Sequence, residues 1–96
     1  MADFLFLHHD DAGEMRMEDW GAYIARLQAQ GVFQGGSAIG EGMVRRKAGE
    51  PRPLTTGVYG YLRVTADDLD GAGALLAGHP SYEAGGTVEI RELPRS

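Results

Sequence analysis

Two stretches with apolar residues three and four apart are each set between runs that alternate every second residue, and this order of periodicities leaves few folds open. The opening run, Phe4 to His9, reads as a strand. Phe4 and Phe6 face one side and Leu5 and Leu7 the other, so both faces are apolar, as in a central strand. Met17, Trp20, Tyr23, Ile24 and Leu27 then form one helical stripe, and Gly31 follows as a left-handed stop. Asp11 with Glu14 three residues on has the pattern of a capping box. Val32 to Val44 is poor in helix formers and includes Gly35, Gly36, Gly40 and Gly42, which predicts a bent or bulged strand. A polar loop, Arg45 to Thr56, contains Pro51 and Pro53 and cannot pair regularly.

In the run "VYGYLRV", Val58, Gly60, Leu62 and Val64 are expected on one face, and Tyr59, Tyr61 and Arg63 on the other. Thr65 is the expected cap of a second helix, Ala66 to Ala77, with Asp68 at its third position and Leu69, Ala72, Leu75 and Leu76 as its buried stripe. His79 and Pro80 end that helix, and Thr87 to Leu93 alternates again as the last strand. The resulting order, strand, helix, strand, strand, helix, strand, is that of the α+β ferredoxin-like (βαββαβ) fold, an antiparallel sheet with two helices on one face. The other face would carry Tyr59, Tyr61, Arg63, Thr87, Glu89 and Arg91, a mixture that suits a semi-polar cavity or a dimer interface.

At 96 residues the chain is one domain whose core is small, hiding about 60 to 65% of the unfolded surface, so self-association would help it. A net charge of −5 disfavours nucleic acid, whose binding is largely phosphate neutralisation. No apolar run approaches the roughly 18 residues of a membrane span. The absence of cysteine removes disulfides, thiolates and sulfur metal sites, and with no export segment the expected location is cytoplasmic.

The segment "FLFLHHDDAG" raises the question of chemistry. On a strand, His8 and His9 point to opposite faces and cannot converge on one metal ion, so no metal site is expected; His8 shares its face with Phe4 and Phe6. His79, read as lying at a helix C-terminus, would be held charged by the dipole and its pKa raised. His8 and His79 are therefore the candidate proton carriers. Trp20 and Tyr23 belong to the helix stripe and double as candidates for a pocket wall, with Tyr59, Tyr61 and Arg63. The glycine series "GVFQGGSAIGEG" lacks the ending of a phosphate loop, and no cofactor is expected. Ser37 within it has no nucleophile elbow and stands only as a ligand contact. Arg45, Arg46, Lys47 and Arg52 form a basic loop on an acidic chain, a solvated tip or a steering patch for a small anion.

Two longer segments, "MEDWGAYIARLQAQGVFQGGSAI" and "GVYGYLRVTADDLDGAGALLAGHPSYEAGGTVEIREL", resemble the YCII-related family, also described by a DGPF motif. The resemblance covers most of the chain and implies a homodimeric α+β barrel, two units packed sheet to sheet, with a small pocket in each. The DGPF tetrapeptide is missing, its region replaced by "RKAGEPRPLTTG". In the enzyme-like branch of that family a helix histidine works with an aspartate, and some relatives are associated with chloride elimination from muconolactone-type compounds. The matching position here is Trp20, and an indole cannot exchange protons near neutral pH. Three readings follow: a small-molecule-binding dimer, a lyase- or isomerase-type enzyme using His8 or His79, and a regulatory or interaction module built on a dimerisation scaffold.

Overall fold

The structure, a computed structural model, describes residues 1–95. The elements are β1 (Ala2–His9), α1 (Met17–Ala29), β2 (Phe33–Ala38), β3 (Val58–Ala66), α2 (Leu69–Ala74), α3 (Pro80–Glu83) and β4 (Val88–Leu93). The strands form a four-stranded antiparallel sheet in the order β2-β3-β1-β4, so the fold is α+β and ferredoxin-like. β1 is central, which is why both of its faces are apolar. Phe4, Phe6, Leu62 and Val64 point from one face into the core, where they meet Tyr23 and Leu27 of α1 and Ala72 of α2. No helix of the described residues is long and apolar enough to cross a membrane.

The turns and helix ends differ from expectation. The capping box is not formed. Asp11 instead accepts hydrogen bonds from the backbone N–H and the hydroxyl of Thr87, at 2.7 and 2.6 Å, and so ties the exit of β1 to the entry of β4. α1 begins at Met17 after Arg16, with no side-chain cap. β3 runs on through Thr65 to Ala66, so Thr65 is a buried strand residue and not a cap. The cap of α2 is Asp68, whose carboxylate accepts from the Gly71 N–H at 2.7 Å. α2 is also shorter than its apolar spacing suggests, because Gly71 and Gly73 weaken it and α3 starts soon after. Met17 and Leu69, expected on the buried stripes, are exposed, each at the first turn of its helix.

β2 is the bent strand expected, though shorter, with its register slipping between Phe33 and Gly35. At Gly36 a Cβ would fall 2.5 Å from the Leu62 side chain and 2.6 Å from the Tyr61 carbonyl oxygen, so the edge strand can approach β3 only without a side chain there. A second irregularity shapes the site: β1 and β3 pair in register to His8–Gly60, and then His9 pairs with Val58, leaving Tyr59 as an extra residue. This bulge moves Tyr59 to the His8 side and Val58 to the His9 side, so the alternation expected of "VYGYLRV" breaks at its start.

On the second face Leu5 lies between Arg63 and Arg91, and Leu7 between Tyr61 and Glu89. The two leucines are half-buried and the two arginines exposed, so in the single chain this face keeps an apolar centre within a charged frame.

Candidate functional site

His8 closes the inward row of β1 that begins with Phe4 and Phe6, and it is 3% exposed. His9 takes the other face and pairs with Glu89 at 3.3 Å. The doublet thus divides as strand geometry requires. His79 comes from the far end of the chain. It is not at the end of a helix but at the start of one: Gly78 turns the backbone at φ 84°, His79 adopts the extended conformation of an N-cap, and Pro80 occupies the first helical turn. The ring accepts the Tyr82 backbone N–H at Nδ1, 3.2 Å away.

The two imidazoles meet in the core, Nε2 to Nε2 at 3.1 Å. Because Nδ1 of His79 accepts from Tyr82, the proton of neutral His79 sits on Nε2. That proton is donated to His8, whose Nε2 must be the bare acceptor and whose own proton is therefore on Nδ1. Adding another proton breaks either the bond between the rings or the cap of α3. Burial lowers the pKa of His8 to about 4. Burial and the neighbouring His8 likewise bring His79 to about 4. The raised value expected for His79 at a helix C-terminus is therefore reversed in sign: His79 starts a helix, and burial, with His8 second, disfavours its charged form.

Aromatic rings wall the pair. Trp20 lies 5.1 Å from the His8 ring and 5.0 Å from that of His79, and Tyr59 is 5.7 Å from His8. Phe6 and Tyr23 meet His79 edge-on at 6.1 and 5.1 Å. Tyr23 is spoken for elsewhere, since its hydroxyl donates to the Leu75 carbonyl at 2.7 Å, and burial raises its pKa to about 12.

Beside His8 is a mainly apolar cavity of about 370 Å³ between α1 and the β2–β3 edge, lined in part by Trp20, Phe33, Ser37, Tyr59 and Gly60. A larger cleft of about 500 Å³ runs between Glu14 and Glu83, but neither paired histidine lines it, so the smaller cavity is the one with chemistry at its wall. Of the candidate residues, the fold brings together His8, Trp20, Ser37 and Tyr59 at this cavity, and Tyr61 borders it from a strand position paired with Leu7 of the second face. His79 stands behind His8, and Tyr23 supports His79. Arg63 is exposed on the second face, cross-strand from Leu5. This cavity is on the helix side of the sheet, and the bulge that turns Tyr59 inward brings that residue to it and away from the second face on which it was expected. Sequence reasoning also missed the pairing of His8 with His79 and the part played by Gly60; neither follows from local spacing. Among the described residues no group of three or more His, Asp or Glu is placed to hold a metal ion.

No family model and no curated protein matches the sequence. Among solved structures, 5-chloro-2-hydroxyhydroquinone dehydrochlorinase (TftG) from Burkholderia phenoliruptrix AC1100, in complex with 2,5-dihydroxybenzoquinone, matches with a TM-score of 0.60. The match has 19% identity and covers 98% of this chain and 95% of that one. At that identity the likeness is one of fold, and it extends over the full α+β unit.

Proposed function

We propose that this chain binds a small planar organic molecule in the cavity beside His8, and that it works in the cytoplasm as a homodimer joined through the second face of the sheet. The observation that carries this reading is the neutral, hydrogen-bonded His8–His79 pair at the wall of an otherwise apolar cavity, with Trp20 and Tyr59 flanking His8. A volume of about 370 Å³ suits a single-ring compound. The structural neighbour was solved with such a compound, a dihydroxybenzoquinone, which supports the ligand class. The dimer is supported by Leu5 and Leu7 within their charged frame and by the resemblance to YCII-related proteins.

A lyase-type reading is favoured by the neighbour's dehydrochlorinase chemistry, with His8 or His79 carrying the proton. Trp20 is the single tryptophan, so its emission reports on the cavity. Titration with 2,5-dihydroxybenzoquinone and a panel of aromatic acids and lactones, read by Trp20 emission and by thermal unfolding, should give a saturable change and a raised midpoint for at least one compound. A flat response in both measurements counts against binding. Chloride release from 5-chloro-2-hydroxyhydroquinone, absent in His8→Gln, would favour the enzyme reading.

A further inference from the structure

Resting on that reading and deepening it, we infer that the His8–His79 pair is a polarised donor: it presents the Nδ1–H of His8 to the cavity and selects planar cyclic compounds that place a carbonyl or other acceptor oxygen there. The Tyr82 N–H cannot reverse its role, so Nδ1 of His79 accepts, Nε2 of His79 donates, Nε2 of His8 accepts, and Nδ1 of His8 carries hydrogen. Among the described residues that last N–H has no hydrogen-bond partner, although every other nitrogen of the pair is engaged.

Gly60 keeps a side chain from crowding this nitrogen. A Cβ there would sit 3.3 Å from Nδ1 of His8 and 3.3 Å from the Ser37 carbonyl oxygen, and both Gly60 and Ser37 line the cavity. A larger residue would occupy the approach to Nδ1. A donor N–H in a mainly apolar pocket discriminates strongly in favour of an oxygen acceptor, because a ligand lacking one leaves the N–H dry and unpaired. Trp20 and Tyr59 beside the His8 ring favour a flat ligand.

Two measurements test this. In the free protein, two-bond ¹⁵N–¹H correlation spectra of ¹⁵N-histidine should show His8 as the Nδ1–H tautomer and His79 as the Nε2–H tautomer at pH 7. Finding His8 protonated on Nε2 overturns the proposal whatever binds. In the second, acetophenone is compared with α-methylstyrene, which replaces the carbonyl oxygen by CH₂ on the same carbon skeleton. Acetophenone should bind about tenfold more tightly and shift the His8 Nδ1–H resonance downfield, and Gly60→Ala should narrow the difference. Equal affinity of the wild-type protein for both compounds overturns the donor role while leaving the cavity reading intact. Binding of neither at millimolar concentration overturns both.

Discussion

His79 holds the first turn of α3 by accepting the Tyr82 backbone N–H at Nδ1, 3.2 Å away, while its other nitrogen is bonded to His8. One ring therefore serves as both helix cap and site support. His79→Ala should lower unfolding free energy by about 2–4 kcal/mol through loss of the cap and of buried contacts. His79→Asn keeps a good cap and should recover about 1 kcal/mol of that loss. Urea denaturation of the two variants checks this; equal losses would show that the cap contributes nothing.

The buried pair makes stability depend on acid. Both histidines titrate near 4 in the folded protein, below the ordinary 6.5, so between these values the unfolded chain binds more protons. Stability from this source is fully present above about pH 6.5, falls as pH drops toward 4, and levels off below that. The loss should be on the order of 3 kcal/mol for each of the two histidines. Urea unfolding free energy measured from pH 4 to 7 should show this slope, and His8→Phe, which leaves buried His79 to titrate, should roughly halve it.

Tyr23 gives the opposite sign at high pH. Its folded pKa near 12 exceeds the ordinary 10, so the unfolded chain loses its proton first, and stability should fall as pH rises from about 10 toward 12. Tyr23→Phe leaves the Leu75 carbonyl without its donor, should cost about 1–2 kcal/mol near neutrality, and should remove that alkaline loss. Guanidinium titrations at pH 7 and pH 11 separate the two effects.

Self-association through the second face should respond to Leu7, which lies between Tyr61 and Glu89 on that face. Sedimentation equilibrium at micromolar concentration should give twice the chain mass for the wild type and a single chain mass for Leu7→Asp, with circular dichroism unchanged. A wild-type monomer would refute the dimer.

Filling the close approach at Gly36 should be costly, because an added methyl meets the Tyr61 carbonyl as well as the Leu62 side chain. Gly36→Ala should destabilise by about 1–3 kcal/mol. Thermal unfolding of this variant beside Gly40→Ala, where the added carbon meets nothing within 4 Å beyond its immediate chain neighbours, isolates the packing effect.

The order of strands and helices was decided locally, since alternation at Phe4 to His9 and three-and-four spacing at Trp20, Tyr23 and Leu27 each follow from which face a backbone geometry can bury. The opposed directions of His8 and His9 follow from the same rule. What local spacing cannot contain is a contact between distant residues or a slip in pairing. His79 becomes a cap rather than a helix end because Gly78 turns the chain and Pro80 restarts it, and it meets His8 across 71 positions only when α3 packs against α1. Tyr59 reaches the cavity because it is itself the unpaired residue between Val58 and Gly60, an irregularity of the assembled sheet. Periodicity thus determined the fold, because burial acts residue by residue along each element; the site was left to tertiary packing, because hydrogen-bond direction and shared protonation exist only between side chains that folding has brought together.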